Sequence, residues 1–418
     1  MRFLRTASTG RLLALIGGIV IAIAAGTAIA VAATGNGPVP KSKPLAQSIH
    51  QALTAAPVKG ITADITFTNN LISSGDIPGE TADPLLQGTR HGRVWLSNDG
   101  RLRIELQGDN GDANLVVNKS SFWISDPMQH TVYEGTLPAD KGGASGAKAD
   151  AAAHAVPTVA QIQSRLAKLM AHVDVGGART SRPGDVAGRP AYSVAVSPKH
   201  SGGLLGRAQL AWDAVTGVPL RIAVYARGNG TPVLALSATN ISYGQISGSD
   251  LSILPPAVDK VVKVSSAGMP GAAARTARAP RSEAKHAQVR GVAAVARRVP
   301  FTLSAPKALA GLPREDASLL DWGGKPAALV TYGQGLGGIA VIEQSGASSS
   351  AASSGAGSGS SSLNLPSVSI NGATGQELAT PLGTVVRFTH GGVGYTVLGS
   401  VAPYAAETAA RALTASAP

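Results

Sequence analysis

The chain has 418 residues, no cysteine, 14% charged residues and a formal net charge of +12. Without cysteine there are no disulfides, no thiolate metal sites and no acylated N-terminal cysteine. The positive charge is uneven: Arg2, Arg5 and Arg11 open the chain, and nine Lys/Arg face Glu283 alone between Lys260 and Arg298. The remainder is nearly neutral, which excludes a general nucleic-acid-binding surface.

Residues 1–11 form a basic n-region. Leu12–Ala33 carries no charge, and as a helix it would reach roughly 33 Å, enough for a bilayer core. The arginines before it stay cytoplasmic, which sends the body outside. Ala30-Val31-Ala32 also offers a small-residue cleavage site. The expectation is a cell-membrane protein with one N-terminal span and an extracytoplasmic body, or a secreted one cleaved near Ala32.

Lys43–Leu53 reads as a short helix with Leu45, Ile49 and Leu53 on one stripe. Ile61–Thr68 alternates apolar and polar residues, the pattern of a half-buried strand. Arg93–Ser97 and Arg101–Leu106 flank Asn98-Asp99-Gly100, a hairpin signal because Gly accepts positive φ. Leu115–Val117 and Phe122–Ser125 make the next hairpin, so the sheet is an antiparallel meander. Thr158 with Gln161 forms a capping box ahead of Val159, Ile162, Leu166 and Leu169. Strands return at Ala191–Val196, Ala208–Trp212, Leu220–Tyr225 and Pro232–Ile241.

Val262–Arg298 mixes Ala, Gly, Pro and Arg without a period and reads as a flexible basic linker. Val299–Gln344 and Leu363–Leu398 are strand-rich, separated by a Ser/Gly/Ala stretch at 346–362 that reads as a disordered loop. Ala405–Leu413 reads as a terminal helix.

Several motifs now carry a resemblance. The first half holds FWISDP (Phe122–Pro127), GRPAYSV (Gly188–Val194), AWDAVTGVPLRI (Ala211–Ile222) and SILPP (Ser252–Pro256). The second holds VTYGQGLGGIAVIEQ (Val330–Gln344) and a strand-then-helix run from His390 to Leu413. Together they resemble the RseB/MucB regulators of sigma factors, whose large domain shares the fold of the lipoprotein carrier LolA. Tyr332–Leu336 lacks the Asp of the family's "Y-x-D-G-L" turn, and the Ser/Gly insertion is foreign to the pattern. The resemblance implies an α+β protein: a LolA-like open antiparallel half-barrel over 43–258 with helices over its concave face, a basic linker over 259–298, and a smaller C-terminal α+β domain over 299–418. It also implies binding rather than catalysis.

Other constellations point to no chemistry. Gly333, Gly335 and Gly338 satisfy G-x-G-x-x-G, but Ile339–Ile342 reads as a strand where a dinucleotide site needs a helix. No two histidines lie three to five residues apart, so no zinc motif is present. Neither a nucleophile elbow nor a catalytic carboxylate pair stands out, and no cofactor or metal is expected.

The candidate site is the apolar face of the first sheet: Phe67, Leu102, Ile104, Leu106, Leu115, Val117, Leu210, Trp212, Ile222 and Val224. Such a face, under the Pro157–Met170 helix as a lid with adaptable Ala160, Ala167 and Met170, suits a lipid or the acyl chains of a lipoprotein. Each buried CH2 contributes about 0.8 kcal/mol. By resemblance, a second partner is the exterior domain of an anti-sigma factor. The basic linker suits an anionic membrane surface. The alternative is a lipid or lipoprotein carrier of the cell envelope.

Overall fold

In the computed structural model the described residues are 38–72, 88–108, 111–127, 130–137, 156–171, 173–176, 181–199, 202–257, 260–264, 289–321, 325–333, 337–346 and 365–415. The leader, including 12–33, and the Ser/Gly stretch 347–362 lie outside them. No helix among the described residues is long and apolar enough to cross a membrane.

Period-two alternation dominates the first part of the chain. After helix α1 (Leu45–Thr54) come β1 (Gly60–Asn69), β2 (Gly88–Ser97), β3 (Leu102–Leu106), β4 (Ala113–Asn118), β5 (Ser121–Asp126) and β6 (Thr131–Thr136). Each pairs antiparallel with the next. Gly100, at φ +86°, makes the β2–β3 turn that an L side chain would strain. Helix α2 (Val159–Leu169) starts on the expected box: Thr158 Oγ1 accepts from the Gln161 N–H, and the Gln161 side chain accepts from the Thr158 N–H.

β7 (Val173–Gly176), β8 (Arg182–Val186), β9 (Arg189–Pro198), β10 (Leu205–Asp213), β11 (Pro219–Ala226) and β12 (Pro232–Tyr243) follow. β12 returns to pair with β1, from Ile61 opposite Tyr243 to Asn69 opposite Leu234. The short helix α3 (Gly248–Leu251) packs on β2 and β3. Among the described residues the result is a 13-stranded, open half-barrel sheet.

The basic segment differs from its expectation at both ends. Lys260–Val264 is a strand, β13, which runs parallel to β6 and is the terminal strand at that end of the sheet. Val289–Arg298 belongs to the second sheet: Gly291 and Leu319 N–H groups bond across to Ala317 and Val289, and Val292–Ala296 forms helix α4 with Val295 buried. The ladder bonds and the burial of Val295 outweigh the mixed composition that reads as linker. Residues 259 and 265–288 of that segment lie outside the described residues.

The second sheet has eight strands among the described residues: β14 (Ala308–Leu309), β15 (Leu312–Asp321), β16 (Pro326–Tyr332), β17 (Ile339–Ser345), β18 (Ser367–Ile370), β19 (Ala373–Thr380), β20 (Gly383–His390) and β21 (Val393–Gly399), then helix α5 (Pro403–Ala415). Ala406, Ala409, Ala410 and Leu413 of α5 are fully covered against Val330, Val341, Val386 and Val397. The two sheets meet where the Leu204 and Leu205 N–H groups donate to Ser400.

Candidate functional site

Register places one apolar face across most of the first sheet. Tyr133, Ile124, Leu115, Ile104, Val94 and Ala63 are successive cross-strand partners from β6 to β1. Phe67, Leu236, Ile222 and Leu210 continue the same face from β1 to β10. All ten sequence-nominated residues belong to it or to its border at Trp212.

Their surroundings divide them into three groups. Phe67, Leu102, Ile104, Leu106, Leu115 and Val117 are buried in one cluster with Phe122, Ile124 and Tyr133. Leu210 and Trp212 are buried in another, with Tyr192, whose ring centroid is 6.2 Å from that of Trp212. Ile222 and Val224 are only half-buried. The second cluster is roofed by Leu45, Ile49 and Ala52 of α1 and Leu166 of α2. No described helix contributes a side chain to the first cluster.

Between the clusters lies a strip that is apolar and half-open. Ile222, Val224, Leu234, Leu236 and Ala238 are all half-buried, and Ala208, opposite Val224, is exposed. Leu234, Leu236 and Ala238 were not among the nominated residues, although their i, i+2 spacing on β12 carried the signal. The helix expected as a lid covers less than its pattern suggests. Ile162 is buried, whereas Leu169 and Met170 point outward, because α2 packs against α1 rather than along the sheet.

The end of this face is held by Asp213, at the start of the β10–β11 turn. Burial works against its charge, but Arg189 Nε and Tyr243 Oη donate to it, both at 2.8 Å. The Val215 and Thr216 N–H groups donate as well. These bonds hold its carboxyl below the usual range.

The second sheet holds a different buried acid. Glu343 is fully covered and takes one hydrogen bond, from the Ser304 N–H at 2.8 Å. Its Oε1 and the nearby Tyr332 hydroxyl lack hydrogen-bond partners among the described residues. Burial pushes its pKa up to about 8, and it helps burial raise Tyr395, its cross-strand neighbour, to about 12.

At the two ends of the glycine-rich motif Tyr332 pairs with Ile339 across β16 and β17, and Gly333 takes φ +69°; a strand, not a helix, follows it, and Gly335 lies outside the described residues. Among the described residues no group of three or more His, Asp or Glu could hold a metal. His154, His172, His200 and His286 lie outside them.

No protein-family model matches the chain, and no curated protein matches its sequence. Solved structures do. This structure is similar to MucB. In the Pseudomonas aeruginosa MucA/MucB complex the match has 18% identity over 87% of this chain and 96% of that one, with a TM-score of 0.38. A second MucB, in complex with MucA(peri), gives 17% identity over 88% and 95%, TM-score 0.37. A LolA superfamily protein from Nitrosomonas europaea gives 8% identity over 50% and 97%, TM-score 0.21. All three are distant likenesses.

Proposed function

We propose that this is a non-enzymatic binding protein of the cell envelope, held by a membrane span or secreted. The inner face of its first sheet takes an acyl chain of a lipid or lipoprotein. Its second sheet contacts a partner of the anti-sigma-factor kind, and lipid occupancy shifts the population of that contact. The observation that carries the lipid part is the half-open strip on β11 and β12. It is apolar throughout, and it lies on a face whose flanks are already packed. Burying such surface under a hydrocarbon chain is favourable at about 25 cal/mol per Å2. MucB, in complex with MucA, supports the partner part by similarity alone.

A carrier of lipidated cargo is the second reading, and it needs only the first sheet. The bonds from Leu204 and Leu205 to Ser400 tie a second sheet to the first, which favours a regulator.

The test is a fluorescent fatty-acyl probe on the wild type and on Val224→Asn and Ile104→Asn. Val224 is half-buried opposite exposed Ala208, so its variant should stay folded and lose the probe. Ile104 is packed, so its variant should lose several kcal/mol of stability, because a buried amide without partners is costly. A wild-type protein that binds no acyl probe would overturn the reading.

A further inference from the structure

The outer face of the same sheet carries an unused pair of cations. We infer that Arg207, Arg221 and Tyr225 form a binding site for the carboxylates of an acidic polypeptide, a site separate from the acyl strip on the opposite face. Arg207 on β10 stands opposite Tyr225 on β11, and its guanidinium carbon lies 4.0 Å from the ring centroid. Arg221 donates to the Tyr225 hydroxyl at 3.2 Å. One tyrosine, itself buried with Ala223 and Ala235, thus holds two guanidinium groups on one surface.

Neither group pairs with an acid among the described residues. Arg93, Arg101, Arg103 and Arg189 of this sheet hold Asp64, Asp99, Glu105 and Asp213. No described carboxylate pairs with Arg207 or Arg221, and the Nε of each is shielded from solvent with no acceptor. Two forks stacked on or bonded to a rigid ring are pre-organised for planar oxyanions, and a carboxylate matches them bidentately.

The surroundings favour a polypeptide over a lipid headgroup. Ser237, Gln209 and Thr66 flank the pair in register. On this face Ala211, Ala223, Tyr225 and Ala235 are all buried, so an acyl chain would find little exposed apolar surface. Two residues from Arg207, the Leu205 N–H bonds Ser400 of the second sheet. A segment bound here would lie beside the junction of the two sheets.

The test uses the full chain in detergent micelles and a fluorescein-labelled peptide alternating Glu with Ser. A Gln/Ser peptide, inorganic phosphate and phosphatidylglycerol vesicles are the comparison ligands. The Glu peptide should bind in a salt-sensitive way, and the double variant Arg207→Gln/Arg221→Gln should weaken it roughly tenfold or more. Arg101→Gln, at an existing surface pair, should leave it unchanged. Tyr225→Phe keeps the ring but frees Arg221, so it should lose about two- to threefold, and it decides the matter should the double variant misfold. Val224→Asn should not affect the peptide, which separates this site from the acyl strip. Equal binding of the Gln peptide, or unchanged affinity in both the double and Tyr225→Phe variants, overturns the site. Tighter binding of vesicles or phosphate than of the Glu peptide overturns the polypeptide assignment.

Discussion

The two sheets use the same strand chemistry and finish it differently. In the second, α5 lays Ala406, Ala409, Ala410 and Leu413 onto a row of valines, and the whole row is closed. In the first, α1 and α2 roof the part around Trp212, and the strip on β11 and β12 stays half-open. Alternating apolar residues therefore specify a sheet face but not its occupant. A short Ala-rich helix can approach closely and seal its face. Two helices that pack on each other leave a strip for something else.

That contrast can be broken or sharpened by substitution. The largest loss of stability belongs to the closed sheet: Leu413→Ala should cost about 2–5 kcal/mol by leaving a cavity, read as a lower midpoint in denaturant unfolding. Glu343 should produce an effect that depends on pH. Its folded pKa of about 8 lies above the ordinary value of 4.5, so the folded state keeps a proton that the unfolded chain releases. Stability from this group is full below pH 4.5 and is lost as pH rises through 8. Glu343→Gln removes that dependence and should be the more stable form at pH 8–9 by a few kcal/mol, on the order of the linkage of one buried acid. An unchanged slope of stability against pH would mean that the carboxyl is ionised in the fold.

Smaller effects belong to the open sheet. Asp213→Asn weakens the bonds from Arg189 and Tyr243 and should cost about 1–3 kcal/mol, a loss that is full above the unfolded Asp pKa and fades as pH falls through the lowered folded one. Thr158→Ala removes the cap of α2 and should cost about 1 kcal/mol. Val224→Asn should cost less than about 1 kcal/mol in stability, because the amide can remain hydrated. A loss there as large as that of Leu413→Ala would show the strip to be closed, and the contrast between the sheets would disappear.

Much of this architecture was legible because its signals are local. Thr158 and Gln161 make a cap within four residues, Asp99-Gly100 makes a turn within two, and Ile61 to Phe67 declares its face by alternation. Lys260–Val264 was not legible as a strand: its five residues are stabilised by a ladder to Thr131–Gly135, more than 120 residues earlier. The accessible strip was only half legible. Leu234, Leu236 and Ala238 show their common face in sequence, but whether a helix lies over them does not follow from their own spacing. Glu343 follows Ile339 and Val341 on the inward parity of β17, so its burial could have been read from alternation alone.

The return of β12 to β1 has a consequence for how the protein is made. Ile61 meets Tyr243 and Thr131 meets Lys260, so strands synthesised early wait for partners that emerge more than a hundred residues later. Through that interval β1 and β6 are edges, able to pair with any other strand, and such long-range closure is slow. The first sheet is therefore complete only once residue 264 has emerged, whereas the strand pairings of the second sheet all lie between Arg290 and Gly399.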